Sequence, residues 1–130
     1  MSSASVALQP NSDDLATPAE KVIAAQLKAY NDRDLEQFVS HWAPDAKIYS
    51  WPDGLVAEGL DEIAQAHAER FAQPHLHAVL LSRLAIDDLV IDRELVTRTE
   101  HDQPKVVQVI AIYEIKGALI QRAWFKQGSA

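Results

Sequence analysis

The sequence predicts one α+β domain, a cone in which three N-terminal helices pack on a curved antiparallel sheet. Three observations support this class. The first half of the chain carries helix-capping signals followed by apolar residues at helical spacing. The second half carries four runs rich in Leu, Ile and Val, separated by short polar gaps. A chain of 130 residues is long enough for one core and one pocket. The expected order of elements is therefore α-α-β-α-β-β-β-β.

The N-terminal segment, residues 1–16, is predicted to be a disordered tail. It mixes Ser, Asn, Asp, Gln and Pro with isolated apolar residues and shows no sustained periodicity. The alternative is a short arm that packs on a partner subunit. The folded domain is expected to span residues 17–127.

The first helix is predicted to begin at Pro18. Thr17-Pro18-Ala19-Glu20 reads as a capping box, with Thr17 as the N-cap and Glu20 three residues later. The residues that then recur at helical spacing are Val22, Ile23, Gln26, Leu27 and Tyr30.

A short second helix is predicted after Asp34, which serves as its N-cap with Gln37 as the reciprocal partner. Ala43-Pro44 is expected to end this helix, because the residue before proline disfavours helical geometry. Its apolar face would consist of Leu35, Phe38, Val39 and Trp42.

A short strand is predicted over residues 47–51, and Pro52-Asp53-Gly54 is a strong turn signal. A third helix follows over residues 61–72, and Pro74 closes it. The inner face of this helix would carry Ile63, Ala64, His67, Arg70 and Phe71.

An antiparallel meander is predicted for the remainder of the chain, because short polar gaps between β-branched runs are typical of hairpins. Its strands are residues 76–86, 89–99, 106–115 and 119–125.

The composition argues against several function classes. A net charge of −7 disfavours binding to nucleic acids or anionic membranes. The absence of cysteine excludes disulfides and thiol nucleophiles, and a cytoplasmic location fits. With only four glycines and no phosphate-binding loop, no nucleotide cofactor is expected. His75 and His77 have the spacing of metal ligands but lack a third ligand nearby, so no metal is expected.

Several motifs along the chain resemble the nuclear transport factor 2-like superfamily, specifically its SnoaL-like and ketosteroid-isomerase-like group. The resemblance covers nearly the whole predicted domain and implies a cone with a hydrophobic pocket. The motifs are A-Y-N-D-R-D-L-E at Ala29–Glu36, W-A-P-D-A at Trp42–Ala46, P-D-G followed by E-G-L-D-E-I at Pro52–Ile63, and I-Y-E-I-K-G-A-L-I-Q-R-A-W-F at Ile112–Phe125.

The resemblance also permits a comparison with the steroid isomerases. Their oxyanion-hole tyrosine corresponds to Gln26, their general-base aspartate to Ser50 or Trp51, and their protonated aspartate to Ala111. All three positions depart from the pattern, so the steroid-isomerase mechanism is not expected. The resemblance does not place the Asp–Arg–Asp set of the related epoxide hydrolases on this chain either.

Three residues are candidate catalytic groups. His67 falls on the apolar face of the third helix, where an imidazole could act as an acid or a base near neutral pH. Asp92 and Glu94 share one face of a strand, where two carboxylates could share a proton. The alternatives are a core histidine and a solvent-facing pair of carboxylates with salt bridges.

Seven further residues are candidates for substrate binding. Gln26 could donate to a substrate carbonyl or could instead bond to a neighbouring helix or to Tyr30. His77 is expected near the mouth of the pocket. The aromatic candidates, which are otherwise core or interface residues, are Tyr30, Trp42, Trp51, Tyr113 and Trp124.

Two classes of function remain open. The chain could be a cofactor-independent isomerase, cyclase or hydrolase that acts by proton transfer on a hydrophobic small molecule. It could instead be a non-catalytic ligand-binding protein or a dimeric interaction module. A homodimer through the sheet is expected in either case, because the outer sheet face carries apolar residues, either Ala78, Leu80 and Leu84 or those of the opposite parity.

Overall fold

The computed structural model describes residues 16–129, so that the predicted tail lies, apart from Ala16, outside the described residues. No helix in the described part of the chain is long and apolar enough to cross a membrane. The elements in chain order are α1 (Pro18–Asp32), α2 (Leu35–Val39), β1 (Trp42–Ser50), β2 (Gly54–Glu58), α3 (Gly59–Phe71), β3 (His77–Ile86), β4 (Leu89–Glu100), β5 (Gln103–Lys116) and β6 (Leu119–Ser129).

The strands form one six-stranded sheet in the order β2-β1-β6-β5-β4-β3, with the helices packed on one face. The predicted α+β class and the order of helices and strands are confirmed. Two details differ from the prediction. The short strand β2 pairs with β1 across the predicted turn, and β1 runs parallel to β6, so the sheet is mixed.

Both predicted helix caps are present. The Thr17 side chain accepts from the backbone N–H of Glu20, and the Glu20 carboxylate accepts from the backbone N–H of Thr17. The Asp34 carboxylate accepts from the backbone N–H of Gln37, but the predicted reciprocal contact of Gln37 is not formed, because the backbone N–H of Asp34 donates to the carbonyl of Ala29. These contacts satisfy backbone donors that a helix leaves free in its first turn, which is why both helices begin where the capping residues predict.

The second helix ends sooner than predicted, because Trp42 belongs to β1 and pairs with Ile120 of β6. Pro44 is tolerated inside β1 because the pairing with β6 is irregular between Trp42 and Lys47. Proline lacks the N–H that a regular ladder needs, and an irregularity of this kind removes the need for it.

Polar side chains of the first motif attach α1 to the sheet edge. The Asn31 amide accepts from the backbone N–H of Ala78 at 2.8 Å and donates to the carbonyl of Ala78 at 2.9 Å. The Arg33 guanidinium donates to the carbonyls of Pro74 and Leu76. These bonds hold the C-terminal end of α1 against the start of β3 and so define one wall of the cone.

The two faces of the sheet differ in burial. The inner face, which the helices cover, carries Val90, Asp92, Glu94 and Val96 of β4, all of them buried. Within β3, a bulge between Leu80 and Ser82 shifts the alternation, so that Ala78 is buried while Leu84 is exposed on the outer face. Because a bulge inserts one residue, no single alternation of odd and even positions assigns the faces of all the residues in β3.

Candidate functional site

A cavity of about 40 Å³ lies between the helices and the inner face of the sheet. This space holds about one or two water molecules. The predicted site residues in its lining are Gln26, Tyr30, His67, Glu94 and Tyr113. The sheet and two helices therefore bring five of the ten candidates to one place.

Glu94 is the acidic group of this cavity, and its side chain is only 5% exposed. Among residues 16–129, no side chain forms a hydrogen bond or an ion pair with it. Burial and, to a lesser extent, the nearby charge of Asp92 raise the pKa of Glu94 from 4.5 to about 7, against the opposing effect of the Arg83 guanidinium. A carboxyl group with this pKa is half ionised at neutral pH.

Asp92 occupies a different environment from Glu94, although both lie on the inner face of β4. Its side chain is 0% exposed and does not contribute to the cavity lining. Arg83 donates to both carboxylate oxygens, from Nε at 2.7 Å and from Nη2 at 2.9 Å. Because both of its oxygens are engaged in a buried ion pair, Asp92 is less accessible for proton transfer than Glu94, and its catalytic role stays a prediction. Its charge also acts on Glu94.

His67 lies in the cavity lining, buried on the inner face of α3. Burial, with the charge of Arg70, lowers the pKa of His67 to about 4, against the effect of its hydrogen bond to Ile63. The imidazole is therefore neutral at pH 7. Its Nδ1 lies 2.8 Å from the carbonyl oxygen of Ile63. A carbonyl only accepts, so Nδ1 carries the proton and Nε2 is left as an acceptor. A neutral imidazole with Nε2 free to accept fits a base better than an acid, and the catalytic role of His67 stays a prediction.

An aromatic cluster surrounds His67 and occupies much of the interior of the cone. The Phe38 and His67 rings have centroids 4.3 Å apart, and the Tyr30 and Phe71 rings meet edge to face at 5.6 Å. Such contacts are favourable and restrict ring motion. This packing accounts for the small volume of the cavity.

Three further polar groups in the lining, Tyr30, Tyr113 and Gln26, are neutral. Burial raises the pKa of Tyr30, and it raises that of Tyr113 well above 10. Both phenols therefore keep their protons at neutral pH and remain hydrogen-bond donors. The Gln26 Oε1 atom is buried and has no hydrogen-bond partner in the described part of the chain. An unpaired buried oxygen of this kind can accept from a bound water or ligand.

Two predicted binding residues lie near the cone but outside its cavity lining. Trp42 is buried behind the lining, where its ring centroid lies 5.8 Å from that of Phe38 and 6.5 Å from that of Tyr113. Trp51 is 49% exposed at the turn between β1 and β2. The prediction of both as cavity residues is corrected, because Trp42 packs in the core and Trp51 follows the last residue of β1.

Trp124 and His77 lie away from the cavity as well. Trp124 stacks on Tyr49 with ring centroids 5.8 Å apart, on the sheet face opposite the helices. His77 is an exposed first residue of β3, next in sequence to the buried Ala78. Alternation along each strand directs neighbouring side chains to opposite faces, which corrects both predictions. No group of three or more His, Asp or Glu side chains within residues 16–129 could hold a metal ion.

Two arginines that the sequence did not single out for binding also line the cavity, Arg70 of α3 and Arg98 of β4. Helical spacing predicts Arg70 on the inner helix face but indicates no role for it there. The alternation of β4 is the signal that points to Arg98, since residues 94, 96 and 98 share one face. Extending that alternation from Glu94 to the end of the strand is enough to find Arg98.

The pKa of Glu94 predicts a pH dependence of stability that Glu94→Gln should remove. Because the folded-state pKa lies above the ordinary 4.5, the folded protein retains a proton that the unfolded chain releases between pH 4.5 and about 7. The contribution of Glu94 to the free energy of unfolding is therefore fully present below pH 4.5 and is lost as the pH rises through about 7. A shift of this size corresponds to about 3 kcal/mol.

Urea denaturation of the wild type and of Glu94→Gln at pH 4 and pH 8 measures this effect. From pH 4 to pH 8, the free energy of unfolding of the variant should rise by about 3 kcal/mol relative to that of the wild type. If the free energies of unfolding of the wild type and the variant differ by the same amount at pH 4 and at pH 8, the raised pKa of Glu94 is contradicted. Each protein serves as its own control, since any packing change is present at both pH values.

Sequence comparison places the chain within a known family. A family model described as a SnoaL-like domain matches residues 23–123, which covers most of the chain. No curated protein matches the sequence at a significant level.

Solved structures of similar fold were also found. An uncharacterized cystatin-fold protein from Novosphingobium aromaticivorans is 27% identical, with a TM-score of 0.76 over 85% of this chain and 97% of that one. An LEH-like epoxide hydrolase from M. tuberculosis is 12% identical, with a TM-score of 0.76 over 85% and 83% of the two chains. A protein of ketosteroid-isomerase-like fold from Catenulispora acidiphila, in complex with trimethylamine, is 15% identical, with a TM-score of 0.70 over 80% and 82%. The last two likenesses show the fold alone.

Proposed function

The chain belongs to the SnoaL-like domain family, and from this we propose that it binds a hydrophobic small molecule and transforms it by proton transfer without a cofactor. The observation that carries the proposal is Glu94, a buried and unpaired carboxyl group in a cavity, whose pKa is raised to about 7. Such a group is a suitable general base and, once protonated, a suitable general acid.

The proposed reaction is a proton shift on an enolisable carbonyl compound. The ionised Glu94 carboxylate removes a proton from the carbon next to the carbonyl, and the electron pair of the broken C–H bond moves to the carbonyl oxygen. The hydroxyl of Tyr30 or Tyr113 donates to the oxygen as its negative charge develops. In a β,γ-unsaturated carbonyl compound the electron pair is shared over a dienolate, and protonated Glu94 returns the proton to the γ-carbon, which completes an isomerisation. Attack of the enolate on a second carbonyl of the same molecule, whose oxygen then takes the proton from Glu94, would give a cyclisation.

Neutral side chains in the lining favour this chemistry. The two phenols stay protonated, and the Gln26 amide adds a further N–H donor beside them. His67, neutral with Nε2 free to accept, would orient a donor such as a tyrosine hydroxyl or a water. Donors of this type stabilise an enolate more strongly inside a buried site than in water.

The small volume of the cavity limits what binds without rearrangement. The cavity mouth is the part of the lining that is partly exposed, namely Leu27, Arg70, Arg98 and Phe125. Ligands of ordinary size need a larger space than about 40 Å³. Binding would therefore require these mouth side chains to move outward, and long arginine side chains are able to do so.

Deuterium uptake tests the proposal even while the substrate is unidentified. The protein is incubated in D2O with a panel of enolisable ketones, keto acids and aromatic polyketide fragments, and each compound is analysed by mass spectrometry. The proposed function predicts uptake into at least one compound well above the rate without protein. If NMR shows ligands in the cavity but no compound exchanges, the protein is a binder and the proposal of catalysis is wrong.

The second candidate function is a non-catalytic binding protein or a dimeric interaction module. The tight aromatic packing of the cone favours the interaction module, since a cavity of about 40 Å³ leaves little space for a ligand of any kind. The same uptake experiment separates the two candidates, because a binder protects or shifts NMR signals without exchanging carbon-bound protons.

We also propose that two copies of the chain pair through the outer sheet face, the face that the helices leave uncovered. A cross-strand row of apolar side chains runs over this face and consists of Leu84, Ile91, Ile112, Trp124 and Tyr49, each paired with the next. Leu84 is 69% exposed at one end of this row. A self-complementary apolar face of this kind is typical of a homodimer interface.

Sedimentation velocity of Leu84→Lys tests the dimer. The wild type should sediment as a dimer and the variant as a monomer at micromolar concentration, because a charge buried in an apolar interface loses its hydration. Ala68→Lys is the control, since Ala68 is exposed on α3, which packs on the opposite face of the sheet, and this variant should remain dimeric. A monomeric wild type, or loss of the dimer in both variants, would contradict the proposal.

A further inference from the structure

The mouth of the cavity contains two guanidinium groups from different elements. Arg70 comes from the last turn of α3, and Arg98 comes from the inner face of β4. Both side chains are partly buried and both line the cavity that contains Glu94. Two positive groups thus stand at the entrance of a site whose acidic group lies deeper inside.

Neither guanidinium has an anionic partner within residues 16–129. The ion pairs of this region involve Lys28, Lys47, Arg83, Lys105 and Arg122. Arg98 donates from Nη1 to the neutral side chain of Gln127, while its Nε is buried without a hydrogen-bond partner. Buried polar groups are nearly always paired, so an unpaired guanidinium nitrogen beside a cavity indicates a partner that binds there.

The two arginines also act unfavourably on each other. Burial lowers the pKa of Arg98, and the charge of Arg70 lowers it further. Two positive charges in the lining of one cavity repel each other, and an anion bound beside both would offset that repulsion. The protein carries a net charge of −7, so a pair of unneutralised arginines is not explained by a generally basic surface.

The position of Tyr30 relates the arginines to Glu94. Tyr30 lines the same cavity as Arg70, Arg98 and Glu94, and the charges of all three act on its phenol. Glu94 and Arg98 are four residues apart on one strand face, a separation of about 13 Å. Val96, an apolar residue, lies between them on the same face and also lines the cavity.

We propose that Arg70 and Arg98 bind the carboxylate of an organic acid whose apolar body extends past Tyr30 toward Glu94. The planar guanidinium group matches the two oxygens of a carboxylate, and two such groups at a partly buried site select for it over a neutral oxygen. This inference rests on the proposed function, since it specifies the substrate class for the same cavity: an amphipathic acid with a reactive centre remote from its carboxylate.

A carboxylate is favoured over a phosphate by the surroundings of the mouth. The neighbouring mouth residues Leu27 and Phe125 are apolar, and the negative Glu94 lies in the same cavity. A dianion would lose more hydration on entering this environment than a monoanion would. Phenyl phosphate therefore serves as a comparison ligand in the test.

Isothermal titration calorimetry of a matched series tests the inference. The probes are phenylacetate, 3-phenylpropanoate, 4-phenylbutanoate and 5-phenylpentanoate, each with the alcohol of the same carbon skeleton. At least one acid should bind at least about tenfold more tightly than its alcohol. Arg70→Gln and Arg98→Gln should each weaken that acid about tenfold or more and leave the alcohol unchanged.

Two further variants control for charge and folding. Arg93→Gln removes the same charge from the exposed outer face of β4 and should leave acid binding unchanged. Arg98→Lys keeps the charge without the planar fork and should retain part of the affinity, even if Arg98→Gln proves unstable. The inference is wrong if no acid binds better than its alcohol, if phenyl phosphate binds best, or if Arg93→Gln weakens binding as much as the mouth variants do.

Failure of this inference differs from failure of the proposed function. Glu94→Gln should bind the acid as tightly as the wild type or more tightly, because it removes a negative charge from the cavity. Arginine-dependent acid binding without any deuterium uptake would support the binding site and refute the catalysis. Uptake into neutral ketones that is unaffected by Arg70→Gln and Arg98→Gln would support the catalysis and refute the binding site.

Discussion

Glu94→Gln is expected to lower the rate of deuterium uptake by at least about 100-fold, while ligand binding persists. Glutamine has nearly the same shape as glutamate but cannot remove a proton from carbon. Glu94 is also the acidic group in the lining of the cavity, since Asp92 lies behind the lining with both oxygens bound to Arg83. No second carboxylate in the described part of the cavity lining is therefore available to replace it.

The pH profile gives the same prediction a second readout. The base must be ionised, so uptake by the wild type should rise with pH and level off above about 7, where the raised pKa of Glu94 lies. Glu94→Gln should show no such rise. Glu114→Gln is the matched control, because Glu114 belongs to β5 and pairs with Arg122 away from the cavity. Uptake by Glu94→Gln within a few-fold of the wild type would contradict the assignment of the base.

Arg83→Met is expected to destabilise the protein by about 3–5 kcal/mol, the largest effect on stability that we predict. The substitution leaves the Asp92 carboxylate in a fully buried position without the two hydrogen bonds that it now accepts. Burying an unpaired charge costs more than the ion pair contributes, which is why removal of one partner has so large an effect. Urea denaturation at pH 7, followed by circular dichroism, measures it.

The double variant Arg83→Met with Asp92→Leu separates charge from packing. Without either charge the position becomes apolar, and most of the lost stability should return. Arg93→Met is the matched control on the outer face of the neighbouring strand β4, where a change of less than about 1 kcal/mol is expected. A double variant as unstable as the single one would show that the loss comes from packing.

Local sequence signals predicted the helices and most of the strands because their information lies within a few residues. Thr17 and Asp34 begin helices by satisfying backbone donors three residues away. The alternation of β4 predicted that Asp92 and Glu94 share a face, and the structure places that face inward. These features depend on backbone geometry and not on distant partners.

Other features depended on contacts that no local pattern contains. The strand β2 is short and mostly exposed, so its pairing with β1 and not its own periodicity defines it. Trp42 reads as part of a helix face but joins the sheet because Ile120 of β6, far along the chain, pairs with it. The bulge in β3 likewise reverses the faces of the residues that follow it, including Leu84.

The sequence by itself determined the class of fold and the chemical types of residue in the cone, because hydrophobic periodicity and capping are local. Only the tertiary structure decided which of the two acids is ion-paired and which faces the cavity. Asp92 and Glu94 are equivalent by sequence pattern, yet Arg83 from the neighbouring strand engages Asp92 and leaves Glu94 unpaired in the cavity. The physical reason is that burial and ion pairing set the properties of a carboxyl group, and both depend on residues that the fold brings together from distant parts of the chain.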